Sequence, residues 1–117
     1  MPTGAARVVL VVLSNCTDPA REKEFNDWYN EIHLPDVLET PGIISAIRYE
    51  NNHRRPGEPR YLALYEFNTA DTRQVVRDLR EHFQKKASQG RMIDCIEVVL
   101  ANTFIKTFEL SGQSVQN

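Results

Sequence analysis

His33 is the side chain in this 117-residue sequence best suited to chemistry near neutral pH. An imidazole has an unperturbed pKa of about 6.5, so it gains and loses a proton without much adjustment of its surroundings. The spacing of the residues before it predicts a titratable group at the rim of an aromatic helix face, an arrangement that suits a small-molecule pocket. The residues of that face fall at positions i, i+3, i+4 and i+7, namely Phe25, Trp28, Tyr29 and Ile32.

Two interpretations of His33 stay open from the sequence. As a catalytic or ligand-contacting group, it abstracts a proton next to a carbonyl or returns one to the enolate. As a structural group, it bonds the terminal carbonyls of its helix, where the helix dipole favours a positive charge. Pro35 is predicted to close that helix, because the residue before a proline is disfavoured in the α region. Asp27, Glu31 and Asp36 are the carboxylates near His33. Glu31 is too close in sequence, so Asp36 is the better candidate to orient the imidazole through its second nitrogen.

Two tyrosines on a later predicted strand are further candidates. Tyr61 and Tyr65 alternate onto one face, with Ala63 between them. The small Ala63 leaves room for a ligand whose oxygen the two phenols contact. Alternatively, both tyrosines are amphipathic residues at the edge of the core.

Arg48 occupies a polar position in a mostly apolar predicted strand and shares its face with Glu50. It either pairs with Glu50 or with Glu66 of the neighbouring strand, or it acts as an electrophile for a carbonyl or carboxylate oxygen. Trp28 and Tyr29 are adjacent in the helix and point about 100° apart. Both therefore cannot face the centre of a pocket, and packing against the sheet is the alternative role for either.

Apolar periodicity and turn residues predict the strands that hold these groups. They lie at residues 7–15, 43–50, 61–67 and 97–110, and a loop at 51–59 makes the middle two an antiparallel hairpin. The first and last strands are apolar on both faces, which is typical of strands covered on both sides. Alternation in the second strand places Ile43, Ser45, Ile47 and Tyr49 on one face, and Ile44, Ala46, Arg48 and Glu50 on the other.

Two helices are predicted between the strands. Thr17 or Asp18 caps the first, which runs to about His33 and is followed by a short turn at 35–39. Asn68 or Thr69 caps the second. The second helix extends to about Ser88 and ends at Gly90, with a buried stripe of Thr72, Val76, Leu79 and Phe83.

The element order β-α-β-β-α-β predicts an α+β, ferredoxin-like sandwich, with a four-stranded antiparallel sheet and both helices on one face. The whole chain, 1–117, is expected to be a single domain with an ordered core at about 7–110 and a loose polar tail at 111–117. An apolar second face of the sheet requires a cover, and a two-fold homodimer through that face is the simplest one.

Composition excludes several classes of partner. A net charge of −2 and a pI near 5.9 argue against a nucleic-acid surface, and no apolar run approaches the length of a membrane span. Cys16 and Cys95 lack metal-ligand spacing and are expected to be reduced in a cytoplasmic protein, with Cys95 part of the core. His53 and His82 are predicted to be exposed.

No cofactor is expected from the sequence. The three histidines are scattered without metal-ligand spacing, and the five glycines do not form a phosphate-binding loop. Haem stays open, because a single helix histidine can be its axial ligand.

Residues 24–37 read Glu-Phe-Asn-Asp-Trp-Tyr-Asn-Glu-Ile-His-Leu-Pro-Asp-Val, and Pro41-Gly42 precedes the second strand. This pattern resembles the EthD-like (ethyl tert-butyl ether degradation) group of the dimeric α+β barrel superfamily, in which a Trp-Tyr pair, a His and a Pro recur at this spacing. The resemblance covers about residues 7–110 and implies the fold and the dimer. The superfamily includes cofactor-free polyketide cyclases, lactone isomerases, quinone-forming monooxygenases and haem-degrading enzymes, so the resemblance does not select one activity.

The resulting hypothesis is a cofactor-free enzyme that cyclises or isomerises an apolar, carbonyl-rich polyketide-like or aromatic metabolite. His33 moves the proton, and Tyr65 or Arg48 holds the developing oxyanion. The alternatives are a non-catalytic ligand-binding or chaperoning module and a cofactor-independent monooxygenase of an electron-rich phenol. The pocket is expected between the sheet and the helices, open near His33 where the prolines break the helix. Its expected binding residues are Trp28, Tyr29, Leu34, Val37, Leu38, Tyr61 and Ala63.

Overall fold

A computed structural model describes residues 6–112 of the chain. Four strands, β1 (Ala6–Cys16), β2 (Ile43–Glu50), β3 (Tyr61–Thr69) and β4 (Ile96–Ile105), form one antiparallel sheet in the order β2-β3-β1-β4. Helical segments lie between β1 and β2 and between β3 and β4. The β-α-β-β-α-β order and the ferredoxin-like sandwich predicted from the sequence are confirmed. The predicted tail from residue 113 onward lies outside the described residues.

The first helical segment does not end at Pro35, so that prediction is wrong. A 3₁₀ turn (Pro19–Arg21), capped by Asp18, leads into helix α1 (Glu22–Trp28), a π-helical turn (Tyr29–His33) and helix α2 (Leu34–Leu38). Proline within an α-helix removes one hydrogen bond and clashes with the preceding turn. The wider π turn, in which the Leu34 N–H bonds the Tyr29 carbonyl, separates Pro35 from the α-helical ladder and lets the helix continue.

Helix α3 (Thr72–Ser88) is capped by Asp71, whose carboxylate accepts a hydrogen bond from the Gln74 N–H at 3.1 Å. The prediction of Asn68 or Thr69 as the cap is wrong, because β3 continues through both residues.

The C-terminal end of α3 agrees with the sequence, since the helix closes at Gly90 with φ +72°, a conformation that glycine adopts readily. Its buried stripe is narrower than predicted. Val75 and Leu79 are buried, whereas Thr72, Val76 and Phe83 are half-buried. Helix α3 therefore seals its part of the sheet incompletely.

A β-bulge in β2 corrects the predicted faces of this strand. Ile43 pairs with Phe67 and Ser45 with Glu66, so Ile43 lies on the helix-covered face together with Arg48. The extra residue of a bulge shifts the alternation by one position. The remainder of β2 alternates as predicted. Strand β4 ends at Ile105, five residues before the predicted end at 110.

The core lies between the helices and the face of the sheet that carries Val8, Tyr65 and Phe67. The opposite face has no covering element among residues 6–112, and several large apolar side chains on or beside it are exposed by a third or more. They include Ile47, Tyr49, Leu100 and Phe104. No helix in this part of the chain is long and apolar enough to span a membrane.

Candidate functional site

His33 lies inside a cluster of aromatic rings at the end of the π turn. Its ring stacks on Trp28 with centroids 4.6 Å apart, meets Tyr29 edge-on at 5.1 Å and lies 5.4 Å from Phe83. The residue is only 7% exposed. The imidazole makes no hydrogen bond to any residue within 6–112, so the predicted bonds to helix carbonyls are absent.

The electrostatics of this cluster favour a neutral imidazole. Burial is the main cause that lowers the pKa of His33 to about 4, and the positive charge of Arg48 acts in the same direction. The carboxylate of Asp36 opposes burial, and its effect is larger than that of Arg48. The His33 ring is therefore uncharged at neutral pH and has a free nitrogen lone pair that can accept a proton.

Asp36 does not orient His33, contrary to the sequence expectation. Its two carboxylate oxygens accept hydrogen bonds from Arg91 at 2.8 and 3.0 Å, and Lys86 lies 3.8 Å away. The Arg91 pairing keeps the pKa of Asp36 below its usual range. His82 is half-buried rather than exposed, because its Nε2 bonds the Asp36 carbonyl at 2.7 Å. His53 is exposed, as predicted.

Arg48 is enclosed by aromatic rings. Its guanidinium carbon lies 4.2 Å from the centroid of Tyr29 and 5.0 Å from that of Tyr61. Its terminal nitrogens donate to Asn26 and Asn30 at 2.9 Å, and not to Glu50 or Glu66. Its Nε is buried without a partner within the described residues, and burial lowers the pKa of the guanidinium.

The two candidate tyrosines differ in surroundings. The Tyr65 hydroxyl is buried and donates to the Tyr29 hydroxyl at 3.4 Å, and burial raises its pKa far above the usual range. The Tyr61 hydroxyl donates to Glu22 at 2.5 Å, and burial also raises its pKa. Ala63 is fully buried and is the β3 partner of Arg48 in the sheet. It lines neither the cavity over α3 nor the polar concavity beside Arg48.

The structure brings His33, Tyr65 and Arg48 around the Tyr29 ring, but the expected opening at the end of the helix is not present. Because the helix continues through Pro35, Val37 packs fully into the core, Leu34 is half-buried and Leu38 projects outward, 46% exposed. His33 itself lines neither the cavity over α3 nor the polar concavity beside Arg48.

An open cavity of about 570 Å³ instead lies between α3 and the β1–β4 half of the sheet. This volume falls in the range of small-molecule sites. The walls are mainly apolar, and their polar residues are Arg80, Gln84, Asn102 and Thr103. The apolar lining residues include Leu10, Leu79, Phe83, Met92 and Ala101.

Phe83 connects the two features, since it lines the cavity and also contacts the His33 ring. The Leu10 wall is paired with Tyr65 in the sheet register. Alternation in β4 and the stripe of α3 contain the signal for most of this cavity. Met92 carries no such signal, because it lies in the coil between α3 and β4.

A smaller, polar concavity of about 350 Å³ lies beside Arg48 and is lined by Asn26, Asn30, Glu50 and Tyr61. Among residues 6–112, no group of three or more histidine, cysteine, aspartate or glutamate side chains is arranged to hold a metal ion.

Solved structures share this fold. HapK from Hahella chejuensis is 13% identical, with 92% of this chain and 99% of that chain covered and a TM-score of 0.66. A dimeric ferredoxin-like protein from an uncultured marine organism is 12% identical, with 89% and 97% covered and a TM-score of 0.61. An EthD family protein from Bacillus halodurans C-125 is 12% identical, with 89% and 99% covered and a TM-score of 0.51.

These similarities confirm the resemblance to the EthD-like group of the dimeric α+β barrel superfamily at the level of the fold. No curated protein matches the sequence. Residues 9–98, more than half of the chain, match the family described as Domain of unknown function (DUF4286). The chain belongs to this DUF4286 family.

Proposed function

We propose that the protein is a cofactor-free enzyme that holds an apolar, carbonyl-bearing small molecule in the α3 cavity and moves a proton with His33. One observation carries the proposal. A buried, neutral imidazole without a hydrogen-bond partner within residues 6–112 is separated from an apolar cavity of ligand size by a single ring, that of Phe83. A titratable group whose pKa is strongly shifted and that lies next to a cavity is a candidate for substrate contact.

The cavity favours a substrate with an apolar ring or chain. Its apolar walls bind the body of the molecule and exclude water, and Gln84, Asn102 or Arg80 orients an oxygen at the polar side. Direct contact with His33 requires the Phe83 ring to turn aside. Phe83 is half-buried on an open wall, so this movement is less restricted than that of a core ring.

His33 accepts a proton from the carbon next to the substrate carbonyl, which leaves an enolate. Tyr65 stays protonated because of its raised pKa. Its O–H is proposed to leave the Tyr29 hydroxyl and to donate a hydrogen bond to the enolate oxygen. Arg48 lies against the Tyr29 ring, and its charge lowers the pKa of His33, so its proposed role is to help keep the imidazole neutral. Return of the proton to another carbon completes an isomerisation, and attack of the enolate on a second carbonyl completes a cyclisation.

A binding or chaperoning module for the same kind of molecule is the second candidate. The observation in its favour is that His33 does not itself line the cavity. A carrier and an enzyme would both bind the ligand through the walls of the α3 cavity, but only the enzyme would need the His33 imidazole.

Proton exchange on a simple ketone separates the two. The protein is incubated in D₂O with 2-acetylnaphthalene, and deuterium entering the methyl group beside the carbonyl is measured by NMR, with binding measured by equilibrium dialysis. The enzyme exchanges that methyl faster than buffer does. The His33→Phe variant is expected to lose roughly 10²–10⁴ of this rate and to keep binding.

The control for this experiment is His53→Phe, which changes an exposed histidine in a loop and should leave exchange unchanged. Binding without any exchange by the wild-type protein contradicts the catalytic proposal and supports the carrier. Oxygen consumption with an electron-rich phenol such as 1-naphthol supports the monooxygenase instead.

We also propose that two copies associate through the uncovered sheet face. An apolar face of this kind is unfavourable in water, and a groove of about 420 Å³ on it is lined by Ile47, Tyr49, Leu64 and Phe104. Sedimentation equilibrium at micromolar concentration should give twice the 13.5 kDa mass of one chain. Leu64→Lys should shift the mass towards one chain, and a wild-type monomer contradicts the proposal.

A further inference from the structure

The two cysteines, which are distant in the sequence, meet at one end of the sheet. Cys16 ends β1 and pairs with Ile96 of β4, and the Thr17 N–H bonds the Cys95 carbonyl at 2.8 Å. These contacts place the cysteines on adjacent chain segments. Their sulfur atoms are 3.8 Å apart, and both are free thiols.

We propose that Cys16 and Cys95 form a reversible oxidation site, at which a peroxide converts the two thiols into a disulfide. A disulfide bond is about 2.05 Å long, so the sulfurs have to approach by about 1.7 Å. The thiols already point towards each other, and side-chain rotation supplies part of this movement. The proposal is independent of the ligand cavity and of His33.

The surroundings determine which sulfur reacts first. Cys16 is half-buried, whereas Cys95 is only 3% exposed. Burial also raises the pKa of the Cys95 thiol, which makes it the weaker nucleophile towards a peroxide in solution. Cys16 is therefore the residue attacked first, and Cys95 is the resolving residue.

The reaction balances with hydrogen peroxide as the oxidant. The Cys16 thiolate, with one proton from solvent, attacks one peroxide oxygen to give a sulfenic acid and releases water. The Cys95 thiol then attacks the Cys16 sulfur, the S–O bond breaks, and a second water leaves. The two thiols are oxidised by two electrons, and the peroxide is reduced to two waters.

Metal binding is the alternative role for two thiols that lie this close together. A structural zinc site takes four protein ligands. Within residues 6–112, Cys16 and Cys95 belong to no group of three or more potential ligands with suitable geometry.

The disulfide would connect three elements. The Cys16 thiol donates to the carbonyl of Asp18, which caps the first helical segment. Next to Cys95, Asp94 is paired with Arg21 of the same segment at 2.8 Å. The bond would therefore join the end of β1, the start of β4 and the beginning of the first helix. Closure of the long chain between the two cysteines predicts a large stabilisation.

The test treats the folded, reduced protein with a small excess of hydrogen peroxide and then alkylates it with N-ethylmaleimide. The expected product has lost two hydrogens, carries no alkyl group and yields a peptide that links Cys16 to Cys95. Its Tm is expected to rise by roughly 5–15 °C, and dithiothreitol should reverse the rise.

Two variants provide the controls. In Cys95→Ala, Cys16 should stop at the sulfenic acid, which dimedone traps, and the Tm should not rise. In Cys16→Ser, which alters the half-buried partner, Cys95 should react with peroxide at least tenfold more slowly than Cys16. Thiols that stay alkylatable in the wild type overturn the proposal. So does a disulfide that links two chains, or a Tm rise that persists in Cys95→Ala.

Discussion

The helix-covered face of the sheet has two halves that are built differently. Over β2 and β3, aromatic rings pack closely, and Phe25 and Tyr29 are at most 1% exposed. Over β1 and β4, helix α3 leaves an open cavity of about 570 Å³. The same two-layer architecture therefore provides a rigid half and a half with room for a ligand.

Side-chain size explains the difference. In the filled half, the ring centroid of Phe25 lies 5.3 Å from that of Tyr61 and 5.6 Å from that of Tyr29. Large rings therefore span the gap between helix and sheet. In the open half, Ala87 of α3 and Ala101 of β4 both line the cavity, and such short side chains cannot span the same gap. His33 lies at the boundary between the halves, where a ligand group and a fixed protein group can meet.

The two halves should respond differently to loss of the same ring. Phe25→Ala removes a fully buried ring and should lower the free energy of unfolding by about 3–5 kcal/mol. Phe83→Ala removes a half-buried ring whose site already opens to solvent, so we expect a loss of about 1–2 kcal/mol. Urea denaturation of the two variants measures the difference, and equal losses would show that α3 packs as tightly as α1.

The sequence predicted the fold but not the open half, since none of the expected binding residues lines the α3 cavity. It also did not indicate the local backbone irregularities. Alternation and turn residues reflect local physics, so the order of the elements and the Gly90 terminus were predicted correctly. The π turn before Pro35 and the bulge after Ile43 are responses of the backbone to packing. No periodicity indicates them, and they altered the predicted opening near His33 and one face of β2.

The candidate site was only partly predictable for the same reason. The aromatic face around His33 follows from helical spacing, but the partner of Asp36 does not. Arg91 lies in the coil between α3 and β4, where its position depends on tertiary contacts. The pairing of Asp36 with Arg91 rather than with His33 is therefore a property of the folded chain.

Acid should destabilise the boundary between the halves through His33. Its pKa is about 4 in the folded protein and about 6.5 when unfolded, so between these values the unfolded state binds more protons. The contribution of the neutral His33 to the free energy of unfolding is fully present above about pH 6.5. It is lost as the pH drops to 4, which lowers the free energy of unfolding by up to about 3 kcal/mol. Denaturation at several pH values should show this fall in the wild type and a smaller one in His33→Phe.

The control for the pH series is His53→Phe, which replaces an exposed histidine and should follow the wild-type curve. Other groups, including the paired carboxylates, also titrate in acid, and they do so in all three proteins. Identical curves for the wild type and His33→Phe would mean that the imidazole is already solvated.

A polar network joins the two halves, and its loss should have an intermediate effect. Asp36 of α2 is 4% exposed and binds Arg91 of the coil segment that carries Met92 to the cavity wall. Asp36→Asn weakens a buried, charge-assisted pair and should cost about 1–3 kcal/mol. Hydrogen exchange of the amides around Met92 should also accelerate. Asp27→Asn, which loses only the exposed pair with Lys23, should change stability by less than about 1 kcal/mol.

Filling the open half should separate stability from binding. Ala101→Leu extends an apolar side chain from β4 into the cavity, and burial of the added methylene groups should stabilise the protein by about 0.5–1 kcal/mol. The same side chain occupies the space proposed for the ligand, so binding of 2-acetylnaphthalene should fall at least tenfold. Ala70→Leu places the same side chain at an exposed loop position and should change neither property. If Ala101→Leu keeps full binding, the ligand lies elsewhere, and the polar concavity beside Arg48 becomes the next site to test.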